Sequence, residues 1–157
     1  MKAVTYLEQY RNLEEQIRLN EDCLRKMRQS LYSIRSSFQV DSVRSVVSDD
    51  AVYARRLEEV DRLERTILLQ KDLKERLEKQ IVEALKKMEC LEDRSAVNYS
   101  VFLKYRFLMG FQWEQAGYSF GISRATVFRW RVAALELFPV PENPIDVKKE
   151  LSLLSAA

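Results

Sequence analysis

The sequence predicts an all-α protein, a long N-terminal helical hairpin paired as a coiled coil, followed by a three-helix domain that contains a helix-turn-helix. Three observations predict it. Only three glycines and three prolines occur in 157 residues, which favours long helices and leaves little room for a multi-stranded sheet. Between residues 3 and 91 apolar side chains recur three and four apart, the spacing of a paired helix. From Trp113 to Leu137, small and apolar residues stand where two short helices cross over a tight turn.

The first helix is expected from Ala3 to Phe38. Its seam runs Ala3, Tyr6, Tyr10, Leu13, Ile17, Asn20, Leu24, Met27, Leu31, Ile34 and Phe38, and ten of these eleven positions are apolar. Asn20 is the polar exception, a residue type that fixes register or strand number at a cost in stability. Asn20→Leu is therefore expected to raise stability and broaden the range of oligomers.

Between Ser36 and Ser48 serines and short apolar residues replace the heptad, which reads as a reversal. Asp49 and Asp50 suit the start of the next helix, where the dipole favours carboxylates, and that helix is expected over Ala51 to Leu91. Val60, Leu63, Ile67, Leu77, Ile81, Ala84, Met88 and Leu91 hold its heptad. Gln70 and Lys74 interrupt the pattern, and Leu57, Leu73 and Leu85 widen it beyond what one partner helix needs. The reversal makes the two helices antiparallel, with Cys23 opposite residues 61–65 and Cys90 near the N-terminus. That separation disfavours a disulfide, so both cysteines are expected as buried or half-buried free thiols.

Ser95 to Met109 is expected as one helix with a stripe of Val97, Val101, Phe102, Tyr105 and Leu108, ending at Gly110. The helix-turn-helix follows, as Trp113 to Phe120 and Ser123 to Leu137. Ala116, Gly117, Phe120, Ile122, Val127 and Trp130 take its interior positions. Gly117 permits close approach of the helices, Gly121 suits a turn at φ > 0, and Ser123 supplies an N-cap oxygen. Burying these leaves Ser123, Arg124, Ala125, Thr126, Phe128, Arg129 and Arg131 as one free face with no acidic residue before Glu136. A structural hairpin would more often show mixed charge there; this face suits the major groove of double-stranded DNA. Lys104 and Arg106, off the apolar stripe, are expected to add phosphate contacts. The Pro-rich PVPENP then leads to a short amphipathic helix capped by Asp146, whose Val147, Leu151 and Leu154 need a surface. The expected divisions are residues 1–92 for the oligomerising hairpin, 93–138 for DNA binding, and 139–157 for spacer and tail.

The formal charge of +2 is unevenly spread. Residues 1–94 carry 19 Lys or Arg against 19 Asp or Glu, residues 95–138 five against two, and the tail two against three. Positive charge thus collects where the free face lies, as a polyanion-binding surface requires. The excess is small, so a homo-oligomer, a dimer or tetramer, is expected to multiply the contacts. Histidine is absent, and Cys23 and Cys90 make no metal-ligand spacing, which excludes zinc fingers and His-based catalysis. No nucleophile–base cluster and no Gly-rich phosphate loop occurs, so no catalytic residue, metal, cofactor or small-molecule substrate is expected. No apolar run has the length of a membrane span, and the N-terminus is amphipathic where a signal peptide is apolar. An intracellular protein without a membrane partner is expected.

The segment YRFLMGFQWEQAGYSFGISRATVFRWRVAALELF resembles the helix-turn-helix of region four of bacterial sigma factors, where a Trp-Glu loop and a Gly-Ile-Ser turn precede a recognition helix. With the preceding helices and the stretch VDSVRSVVSDDAVY, roughly residues 5–138 are similar to the ArpU/RinA-like transcriptional regulators of Gram-positive phages and prophages. That resemblance implies a sequence-specific DNA-binding regulator, an activator of phage genes in the bacterial cytoplasm, with RNA polymerase as a further partner. Gly117-Tyr118 stands where the family more often has Ala and a charged residue, and Phe128 where Tyr is usual, so no base preference carries over. The alternative is a phage small terminase subunit, which also joins a helix-turn-helix to an oligomerising hairpin. A large ring would mark packaging, and a dimer or tetramer on promoter DNA would mark regulation. A true sigma factor needs a segment that opens the −10 element, and none is evident.

Overall fold

The computed structural model describes residues 1–38 and 46–156, and every regular element among the described residues is helical. The order is α1 Ala3–Phe38, α2 Val46–Glu89, α3 Ala96–Leu103 running into a π-helical turn Lys104–Leu108, α4 Trp113–Ser119, α5 Arg124–Leu137 and α6 Val147–Ala156. No helix among the described residues is long and apolar enough to cross a membrane. Most of the expected reversal, residues 39–45, lies outside the described residues. α2 begins at Val46 rather than Ala51, so Asp49 and Asp50 lie inside the helix and not at its cap. The chain forms two compact units, residues 15–72 and residues 1–14 with 73–157.

In the unit of residues 15–72, α1 and α2 run antiparallel. Ile17, Leu24 and Leu31 of α1 and Val60 and Ile67 of α2 are buried, with Met27, Tyr53 and Leu63 packed at their edge. Burying each such side chain contributes about 1.5–3 kcal/mol, which offsets the cost of ordering helices that are marginal alone. The two polar interruptions of the seams meet: Asn20 Nδ2 donates to Gln70 Oε1 at 2.9 Å, and Gln70 is buried. Ion pairs of Glu21 with Lys71 at 2.5 Å and of Arg28 with Glu64 flank that bond. This register sets Cys23 level with Ile67 to Leu69 rather than with 61–65, because side-chain pairing and not the midpoint of the reversal fixes it. Cys23 and Cys90 are free, as expected, but both are exposed, where buried or half-buried thiols were expected.

In the unit of residues 1–14 and 73–157, Tyr6, Leu7, Tyr10 and Leu13 pack into a core with Leu73, Leu77, Ile81, Ala84, Leu85 and Met88. Leu73 and Leu85, which widen the heptad, are thus covered within the chain. Phe138, at the end of α5, lies with its ring 6.0 Å from that of Tyr6. Beyond it two glutamines grip the extended backbone. Gln80 donates through Nε2 to Asn143 O at 2.9 Å and accepts from Ile145 N at 3.0 Å. Gln9 donates to Ile145 O at 3.1 Å and accepts from Val147 N at 2.9 Å. A carboxamide offers one donor and one acceptor side by side, as a neighbouring strand would. Asp146 caps α6 through Lys149 N, and Val147 is buried. The apolar face of the tail is therefore anchored on this chain.

Candidate nucleic-acid interface

An aromatic cluster on α3 positions the surface that the sequence singles out. The expected single helix Ser95–Met109 is instead α3 followed by the π-helical turn, which inserts an extra residue and shifts the register. Ahead of that turn Ala96, Ser100 and Leu103 are buried on one side of α3, with Phe107 buried after them, while Val97 is half exposed. The other side of α3 presents Phe102, whose ring is 5.4 Å from Trp113, 6.2 Å from Phe120 and 5.7 Å from Trp130. Trp130 also meets Phe120 at 5.2 Å and Tyr99 edge-on at 5.4 Å. Such pairs add about 0.5–1.5 kcal/mol each beyond burial, and together they fix α4 and α5 on α3.

Contact between α4 and α5 depends on Gly117, where a Cβ would fall 2.1 Å from Val127 Cγ2. The chain leaves α4 through Gly121 at φ 65°, and Ile122 N donates back to Gly117 O at 3.2 Å. Ser123 then caps α5. Its Oγ accepts from Thr126 N at 3.3 Å and shares a hydrogen bond with Thr126 Oγ1 at 2.9 Å.

On α5 the structure brings the sequence-selected residues to one surface. Ser123, Arg124, Ala125, Phe128, Arg129 and Arg131 are exposed, and Thr126 is half-buried. Arg131 is not fully free, since its guanidinium lies over the Trp113 ring at 5.1 Å.

Lys104 and Arg106, the two cations ahead of α4, each have partners within the chain. Lys104 Nζ is 3.0 Å from Glu89 Oε1, which also accepts from Ser100 Oγ at 2.7 Å. Those two bonds, the Ser100 one foremost, hold the Glu89 carboxyl below its ordinary value. Arg106 Nη1 donates to Phe111 O at 3.0 Å and reaches Gln112 Oε1 at 3.4 Å, and its guanidinium lies 5.2 Å from the Trp113 centroid. Burial pushes its pKa down, with the charges of Arg11 and Arg131 adding to the effect. Both cations therefore brace the loop and helix that lead into α4.

Three exposed or supporting residues escaped the sequence reading. Trp113 is a platform for both Arg106 and Arg131. Tyr118 on α4 is 87% exposed. Val132, 44% exposed, stands four residues after Phe128 and so continues the line begun by Ala125, a helical spacing that could have disclosed it. No protein-family model, no curated protein and no solved structure matches this chain.

Proposed function

We propose that α4, the turn at Gly121 and α5 form a helix-turn-helix, and that the chain is a sequence-specific, double-stranded DNA-binding transcription regulator, an activator of phage or prophage genes. The observation that carries this reading is the outer face of α5. Arg124, Arg129 and Arg131 are exposed there with Ser123, Ala125 and Phe128, with no carboxylate before Glu136. A helix held rigidly by its inner face and cationic on its outer one has the size and charge to enter a major groove.

In this reading α5 is the recognition helix, and Arg124 and Arg129, nearest its N-terminal half, face base edges while Arg131 meets phosphate. The long antiparallel helices form a hairpin that assembles dimers or tetramers. Leu57, Leu68 and Leu69, exposed on the unit of residues 15–72, supply apolar area for that assembly. Oligomerisation matters because each copy brings only five basic residues between 95 and 138, and the polyelectrolyte contribution grows with the number of phosphates neutralised.

Capture of fragmented genomic DNA carrying integrated phages by the full-length chain, followed by sequencing, tests the proposal. A short shared motif upstream of genes, bound by a dimer or tetramer in light scattering, is the expected outcome. No enrichment over bulk fragments contradicts it, and a large ring on packaging-site DNA assigns the chain to terminase function instead.

A further inference from the structure

The outer face of α5 has an unusual chemical composition, and what it lacks is as informative as what it holds. The hydroxyls of Ser123 and Thr126 are occupied with each other and with the Thr126 amide. Arg131 is stacked on Trp113. That leaves two kinds of group to meet base edges: the guanidiniums of Arg124 and Arg129, and the apolar line Ala125, Phe128 and Val132. The three stand three and four residues apart on one side of the helix. Phe128 is 66% exposed, whereas Phe102, Phe107 and Phe120 are packed among other rings. A large apolar side chain left in water at the middle of a cationic face marks a surface that is covered in the working complex.

The geometry points to a duplex DNA site that presents thymine methyl groups to Ala125, Phe128 and Val132, flanked by guanines paired to Arg124 or Arg129. This inference rests on α5 being the recognition helix and adds the base chemistry that it reads. In the major groove only thymine displays an apolar group, its C5-methyl, and guanine O6 and N7 accept from a bidentate guanidinium. Adenine is read by Asn or Gln, and cytosine N4 by Asp or Glu. The face carries no such residue before Glu136, so adenine and cytosine have no direct reader. Charge decides between DNA and an apolar protein partner as the occupant, because the arginines border the apolar line and no carboxylate does.

The test uses the full-length chain and duplexes selected by it from a random library. In the selected sequence each thymine is replaced in turn by uracil, which removes the methyl and leaves the pairing intact. At one or two positions the replacement should weaken binding about three- to fivefold, the effect of losing one buried methyl-sized contact. Phe128→Ala should bring the thymine-to-uracil affinity ratio at one of those positions to about one. If every uracil duplex binds as tightly as its thymine parent, or if Phe128→Ala keeps the ratio, the methyl-reading inference is overturned while DNA recognition stands. Unchanged ratios together with a shift of Phe128→Ala to a smaller oligomer would also overturn it, by assigning the patch to self-association. Failure of selection to enrich any sequence would overturn both the inference and the reading beneath it.

Discussion

Gly117 and Val127 meet so closely that a Cβ on Gly117 would lie 2.1 Å from Val127 Cγ2, so the crossing of α4 and α5 has space for glycine alone. Gly117→Ala should therefore destabilise the protein by about 1–3 kcal/mol, as overpacking does. Val127→Ala introduced with it should recover part of that loss, giving a favourable coupling in a double-mutant cycle read by denaturant unfolding. Additive effects would mean that the two helices do not pack at this point.

The Asn20–Gln70 bond changes what removing Asn20 does. Considered alone, a polar seam residue is a defect, and Asn20→Leu should stabilise. With Gln70 buried on it, the substitution strands a carboxamide and should cost about 1–3 kcal/mol. Asn20→Leu with Gln70→Leu should be neutral or stabilising and should broaden the distribution of oligomers, because no polar pair then fixes the register. Thermal unfolding and light scattering of the single and double variants check this, and a stabilised Asn20→Leu single variant would count against it.

Lys104 should act on stability rather than on DNA. Its ammonium is on Glu89, and Glu89 is held below its ordinary 4.5 by Ser100 and Lys104. A carboxylate with a lowered folded-state pKa contributes stability that is present above 4.5 and is lost as pH falls through the folded value. Glu89→Gln should thus lower the Tm at pH 7 and show a flatter loss on acidification below pH 4.5 than the parent. Lys104→Ala should lower the Tm while leaving the salt dependence of DNA binding unchanged. A salt slope reduced by about one unit per bound copy would return Lys104 to the phosphate contacts.

Gln80 accepts from Tyr6 Oη at 2.6 Å as well as gripping Asn143 and Ile145. Gln80→Leu should release the tail, seen as faster amide exchange at Ile145 and Val147, and should lower stability by roughly the 1–3 kcal/mol of groups left unpaired. Unchanged exchange at those amides would show that Gln9 alone holds the segment.

The long helices are legible because their heptads are nearly unbroken: six of the ten α1 seam positions whose side chains are described are buried outright. Their register is not, since Asn20 and Gln70 appear in sequence as two separate flaws. The turn is legible at Gly117, Gly121 and Ser123 because each position has a strict steric or hydrogen-bonding demand. The π-helical turn at Lys104–Leu108 carries no compositional mark, and the buried stripe of Ala96, Ser100, Leu103 and Phe107 contains a small and a polar residue that apolar periodicity passes over in favour of Val97. The partners of Lys104 and Arg106, Glu89 and the Phe111 carbonyl, lie across turns that spacing alone does not fold back. Gln9 and Gln80 resemble surface residues until the tail is laid between them.

Binding of the Arg124→Ala and Arg129→Ala variants to the selected duplex and to a scrambled one, across a range of salt concentrations, tests the recognition role of α5 most directly. An arginine paired with a guanine contributes about 1–3 kcal/mol of discrimination. At least one variant should therefore lose a corresponding part of the specific-to-nonspecific ratio and relax preference at one base pair, whereas Arg131→Ala should weaken both duplexes alike. If both Arg124→Ala and Arg129→Ala leave that ratio unchanged, α5 does not read the DNA.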